Sequence, residues 1–111
     1  MDVLVDWENI PWNEPEGELR PGYRDKTCVM GGQEVWLCEI SAGYEPEDEW
    51  CTEKHLFHVV AGECTLRMRD GYRAIRLRAG DTGIIPAGEA NAHRLDPAAG
   101  ERVRFLLFEQ S

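Results

Sequence analysis

Four side chains stand out as able to do chemistry together: Glu49, Cys51, His55 and His93. A carboxylate, a thiol and two imidazoles are soft-to-borderline donors. Such a set suits Zn²⁺ and accepts Fe²⁺, Ni²⁺ or Cu²⁺, but not Mg²⁺ or Ca²⁺. Three protein donors with a fourth position open would be a catalytic-type arrangement, and a bound metal would hold Cys51 as a thiolate. Asn91 lies close to His93 in the chain and is a poor transition-metal ligand. A second use of the same residues is a Cys51–His55 nucleophile and base pair. A Ser-His-Asp arrangement is not credible, because the serines are only Ser41 and the terminal Ser111.

Convergence of these groups needs strands. Side chains two apart point to the same face of a strand, so Glu49 and Cys51 can both point inward. His55 follows after a tight connection and heads the next strand, with Phe57 and Val59 on its face. His58 has the opposite parity and reads as an outer-face or interface residue. Asn91 and His93 share parity on a later strand. His93 then lies ~6.8 Å beyond Asn91 if the run is regular, so a local twist or bulge is needed for it to take the Asn91 place. The blander alternative puts Glu49 and Cys51 on a solvated loop, since the segment 45–53 is acidic.

The chain supplies strand signals throughout and no sustained 3.6-residue period. Residues 33–40 alternate, with Val35, Leu37 and Glu39 on one face and Trp36, Cys38 and Ile40 on the other. Residues 56–61 are apolar and bounded by Gly62; 81–85 end at Pro86; 102–109 alternate loosely around Val103, Phe105, Leu106, Leu107 and Phe108. Asp70-Gly71 is a two-residue hairpin signal of the type I′ kind. Pairing Arg69 with Tyr72 sets Leu66 opposite Ile75, Cys64 opposite Leu77, Thr65 opposite Arg76 and Glu63 opposite Arg78. One face of that hairpin is then apolar apart from Arg73 near the turn, and the other carries an opposite-charge pair. The Pro86-Ala87-Gly88 turn is structural. Residues 1–30 read as an extended arm, with one short strand near Val3–Val5, and 31–111 as the folded domain.

Length and composition bound the rest. The chain has 111 residues, 42% of them hydrophobic and 30% charged. That is one soluble domain with a core that needs no staples. Net charge is −9, which repels nucleic-acid phosphate and anionic lipid. Residues 1–54 hold 14 acids and 4 bases, and 55–111 hold 7 acids and 8 bases. Arg67, Arg69, Arg73, Arg76 and Arg78 form either an anion-binding surface or, the simpler expectation, a solvated strand face. Four cysteines without a Cys-x-x-Cys pair, and a start without a basic or apolar leader, point to reduced thiols in the cytoplasm. Cys38 and Cys64 read as small core hydrophobes. Trp7, Trp12, Trp36 and Trp50 are either cavity-lining residues or core and interface anchors.

Two spacings carry a family resemblance. Gly43 to Gly62 reads G-x5-E-x-C-x3-H-x6-G, and Gly80 to Asn91 reads G-x5-P-x-G-x2-N, with 17 residues between Gly62 and Gly80. They resemble the two cupin motifs, G-x5-H-x-H-x3-E-x6-G and G-x5-P-x-G-x2-H. The segment Asp48-Glu49-Trp50-Cys51, with His55, Gly62-Glu63 and the early Ile10-Pro11-Trp12, is also similar to a group of small cupins with an Asp-His-Trp-Cys segment. The resemblance implies an all-β, single-domain jelly-roll β-barrel of the cupin type. It also implies a homodimer, for which unprotected edge strands give a physical motive. In the family, three histidines and a carboxylate surround one metal. The matching positions here hold Glu49, Cys51, His55 and Asn91, so none of the histidine slots is kept by identity. Three functions follow as expectations: a divalent-metal site (Zn, Fe or Ni) in the lumen binding a small polar molecule; a non-catalytic small-molecule binding or sensing module without metal; or a structural protein with a filled barrel. Fold alone does not choose among them.

Overall fold

The computed structural model describes residues 4–13, 22–41, 44, 50–97 and 102–110. Among the described residues, eight strands form two antiparallel sheets. The strands are β1 (Tyr23–Met30), β2 (Gln33–Ile40), β3 (His55–Ala61), β4 (Glu63–Met68), β5 (Ala74–Arg78), β6 (Thr82–Ile85), β7 (His93–Pro97) and β8 (Val103–Gln110). One sheet has the order β1-β2-β8-β3-β6 and the other β5-β4-β7. Among the described residues no ladder joins the two sheets, so the expected barrel is an open, two-sheet jelly roll.

Apolar alternation sets which side chains meet between the sheets. Cys38, Ile40, Phe57, Val59, Ile85, Val103 and Phe105 of the larger sheet form one buried cluster with Cys64, Leu66 and Leu77 of the smaller. The β2–β8–β3 register lines these residues into rows. Trp36, Leu107 and Phe57 make one row; Cys38, Phe105 and Val59 make the next.

β2 spans the residues expected, and so does the 63–78 hairpin register. Glu63 pairs with Arg78, Cys64 with Leu77, Thr65 with Arg76 and Leu66 with Ile75. The turn itself differs. The Met68 N–H donates to the Arg73 carbonyl at 2.8 Å, closing a four-residue loop. Positive φ falls at Gly71 (75°) and Tyr72 (51°), not at Asp70 and Gly71 as type I′ requires. Both closures keep the same residues opposite each other, which is why the register survives. On the outer side Glu63 takes Arg76 as its closer partner and Arg78 at 3.9 Å.

The arm needs correction. Residues 23–30, expected in the extended arm, form β1 and pair with β2 along their whole length. Arg24, Asp25 and Lys26 hid the alternation, because both faces of this edge strand carry charge. Asp25 faces in, accepting from Tyr23 Oη at 2.7 Å, and Lys26 faces out, donating to the Trp7 carbonyl at 2.7 Å. Of the expected strand near Val3–Val5, Val3 lies outside the described residues, and Leu4 and Val5 are not in a strand. Trp12 instead lies under the guanidinium of Arg24, 3.9 Å from the ring centre, and near Lys26 and Arg104.

The bulge in β3 between Val59 and Ala61 leads into Gly62. Gly62 has φ +82°, and a Cβ there would stand 2.3 Å from the Arg102 carbonyl oxygen. A side chain is excluded by conformation and by backbone contact alike.

Candidate functional site

Three of the four sequence-selected donors converge. The ligand atoms of Cys51, His55 and His93 lie within 4.8 Å of one another. Glu49 lies outside the described residues. Asn91 does not share a strand with His93: it closes a 3-10 turn, Glu89–Asn91, and its amide donates to the Ala87 carbonyl at 3.4 Å. That turn takes up the extra length between Asn91 and His93, so the imidazole of His93 reaches the cluster without a bulge in β7.

Each member is positioned by a different element. Cys51 forms an isolated antiparallel bridge with His93, each residue's N–H donating to the other's carbonyl at 3.0 Å. The next carbonyl, that of Thr52, accepts from Gly88 N–H at 2.9 Å, tying the Cys51 segment to the Pro86–Gly88 turn. His55 opens β3, and His93 opens β7 opposite Met68 of β4. The site therefore sits where the two sheets approach, with one imidazole from each.

The hydrogen bonds define how the imidazoles face. His55 Nδ1 lies 3.1 Å from Glu109 Oε1. A carboxylate only accepts, so the proton sits on Nδ1 and Nε2 is directed at Cys51 Sγ, 3.4 Å away. His93 Nδ1 likewise donates to the Asn91 carbonyl at 3.0 Å, leaving its own Nε2 as the acceptor. The two rings meet edge to face, with centroids 5.3 Å apart and planes at 83°. Burial pushes the His93 imidazole below its ordinary pKa; the Asn91 hydrogen bond opposes this and the neighbouring His55 adds to it. The balance favours the neutral form of His93.

This donor set fits a transition metal. It offers one sulfur and two imidazole nitrogens, each nitrogen freed by an outer hydrogen bond on the other ring atom, which is how metal-binding histidines are usually oriented. The Sγ to Nε2 separation of 3.4 Å is close to the ~3.5 Å edge of a tetrahedral zinc site.

Behind the cluster is a cavity of about 760 Å³. Its lining includes Trp36, Trp50, Phe57, Leu66, Leu107 and Arg94 as well as the donors. The Arg94 guanidinium lies 4.2 Å from the Trp50 ring centre. Trp36 and Trp50 are the cavity-lining tryptophans. Glu109 was missed from sequence. Its signal was there: Phe105, Leu107 and Glu109 share parity, so a run facing inward ends on a carboxylate. His58 faces outward and bonds Thr82 Oγ1 at 2.6 Å, as its parity requires. Arg67, Arg69 and Arg76 pair with Asp96, Glu89 and Glu63, and Arg78 lies 3.9 Å from Glu63, so these four arginines are solvated and paired within the chain.

No protein-family model and no curated protein matches the sequence. Solved structures do match in shape. The polyketide cyclase RemF of Streptomyces resistomycificus superimposes with a TM-score of 0.79 at 18% identity, over 97% of this chain and 78% of its own. A cupin-superfamily sugar phosphate isomerase from Silicibacter pomeroyi gives 0.76 at 16%, over 98% and 76%. A cupin-2 domain from Rhodospirillum rubrum gives 0.73 at 17%, over 100% and 78%.

The chain has a cupin fold. In this fold the described part of the first motif-like segment leads through Cys51 into β3, and the second leads through the Pro86–Gly88 turn into β7. At these identities the likeness carries the architecture alone.

Proposed function

We propose that this small cupin holds a divalent transition metal at Cys51, His55 and His93 and binds a small molecule in the cavity beside it. The observation that carries this reading is the orientation of the two imidazoles. Glu109 and the Asn91 carbonyl occupy the Nδ1 atoms, which leaves Nε2 as the available ligand atom of each ring; that of His55 lies 3.4 Å from the Cys51 sulfur, and the ligand atoms of all three residues lie within 4.8 Å of one another. Glu49 is proposed as a fourth donor from its spacing to Cys51. A metal there would act as a Lewis acid on an oxygen of the bound molecule. The chain's own residues would exclude water from the apolar depth, and His55, held by Glu109, would keep a fixed tautomer. That two of the superimposing structures are named as a cyclase and an isomerase supports a small-molecule substrate.

Four cysteines outside any disulfide fit a reducing, cytoplasmic setting. No helix among the described residues is long and apolar enough to cross a membrane. A homodimer is proposed from the outer face of the larger sheet, where Ile84 is 65% exposed and Val60 47%.

The test is metal analysis of untagged protein by mass spectrometry, before and after soaking with Zn²⁺, Ni²⁺ or Fe²⁺. Near-stoichiometric metal, lost in Cys51→Ser and His93→Ala, is expected. Less than ~0.1 equivalent after soaking would overturn the reading. A metal-free binding module is the second reading, favoured by the direct Cys51–His55 hydrogen bond, which already satisfies both groups.

A further inference from the structure

The register grades the cavity wall from polar to apolar in one direction on both sheets. On the larger sheet, the inward row at one end is Glu34, Glu109 and His55; the next is Trp36, Leu107 and Phe57; the next is Cys38, Phe105 and Val59. On the smaller sheet the same progression runs from His93 beside Met68, to Leu66 beside Leu95, to Cys64 beside Leu77. Cys51 stands at the polar end of both, because it bridges His93 and bonds His55. At the far end the Tyr23 hydroxyl is already committed to Asp25 at 2.7 Å. Gly83 lies opposite Phe57, and a Cβ there would stand 2.6 Å from the ring, so glycine gives that ring its room.

From this grading the geometry points to a ligand class: a flat, apolar-bodied molecule of one or two fused rings carrying a single oxygen head, a phenol, enol or carboxylate. The head lies at Cys51, His55 and His93. The body lies along the row of Trp36, Leu107 and Phe57, against Leu66 and Leu95. A cavity of about 760 Å³ is the size of sites that bury drug-sized ligands. The inference deepens the proposed function, resting on its assignment of the cavity as the binding site but not on its metal. It narrows the expected small polar molecule: polar partners such as Glu34, Glu53 and Arg94 line part of the cavity, but hydroxyls placed along Leu66, Leu107, Phe57 and Phe105 would lack partners, at a cost for each.

The experiment is calorimetric titration of the full chain, metal-free and zinc-loaded, with 2-naphthol, phenol and glucose 6-phosphate. 2-Naphthol is expected to bind at least ~10-fold more tightly than phenol, the second ring adding apolar contact. Glucose 6-phosphate should bind more weakly than either. Trp36→Leu should weaken 2-naphthol binding several-fold, whereas Trp12→Ala, on the outer face, should leave it unchanged. Absence of 2-naphthol binding up to ~1 mM, or tighter binding of glucose 6-phosphate, overturns the inference whatever the metal analysis gives. Binding of 2-naphthol to protein that takes up no metal leaves the inference standing and removes the metal reading alone.

Discussion

Cys51 and His93 exchange both of their backbone hydrogen bonds, at 3.0 Å each, while their side chains turn toward the same point. Main-chain pairing thus fixes the distance between two proposed metal donors that are 42 positions apart in sequence. Among the described residues no longer ladder forms there: a two-residue bridge joins the Cys51 segment to β7.

Glu109 should orient His55. In Glu109→Ala the Nδ1 proton loses its acceptor, and the imidazole is free to change tautomer or rotate. Metal affinity is expected to fall ~10–100-fold. Long-range ¹H–¹⁵N correlation spectra should show His55 leaving its Nδ1–H form, and Glu109→Gln should retain much of it, since the amide oxygen still accepts. An unchanged tautomer in Glu109→Ala would contradict the assignment.

Glu39 should carry acid-sensitive stability. Burial alone would raise its pKa, but hydrogen bonds from Arg24 at 2.8 Å and Arg104 at 2.7 Å, with their charges, hold it below the ordinary value. The unfolded chain therefore binds the proton at higher pH than the folded one. The contribution is complete above the ordinary glutamate pKa and is lost as pH falls through the lowered one. Urea denaturation of Glu39→Gln at pH 7 should show a loss of ~1.5–3 kcal/mol. At pH 3 the gap from wild type should narrow, and a gap that stays constant would refute this account.

Gly62→Ala should destabilise by more than ~1 kcal/mol, because it combines a positive φ with a backbone clash that cannot relax through a side chain. For a domain near this size that is a melting-point fall of at least ~4 °C, measurable by calorimetry.

Thiol labelling should divide the cysteines by depth. Cys38 and Cys64 are each 1% exposed, and burial pushes the Cys64 thiol up to about 11. An aromatic disulfide reagent should spare both in the native protein and label them only on unfolding. Cys28 and Cys51 are half-buried and should react first. Zinc should then protect Cys51 and leave Cys28 reactive.

Legibility in the sequence followed how local each signal was. The 63–78 hairpin and β2 were readable because alternation and turn residues agree within a dozen positions. The turn's true closure was not, since a two-residue and a four-residue loop give the same pairing. β1 escaped notice because inward Asp25 and outward Lys26 put charge on both faces: Asp25 is satisfied by Tyr23 within the strand and Lys26 by the Trp7 carbonyl 19 positions away, which no alternation pattern reveals. At the site, Cys51 and His55 were selected by their places in the cupin-like spacing and His93 as the imidazole two residues beyond Asn91, but the route by which His93 displaces Asn91 depends on a 3-10 turn that parity counting assumes away. Glu109 meets His55 only through β8–β3 pairing across 54 positions.

The floor of the cavity is narrow in side-chain volume, with Cys38 and Cys64 reaching in from opposite sheets. These two small residues lie two rows from His55 and His93 along the sheets, so in the proposed site their size limits how far a guest would penetrate. Reach and reactivity are set by separate positions, so enlarging either cysteine to leucine would shorten the acceptable guest while leaving the chemistry at the entrance as it was.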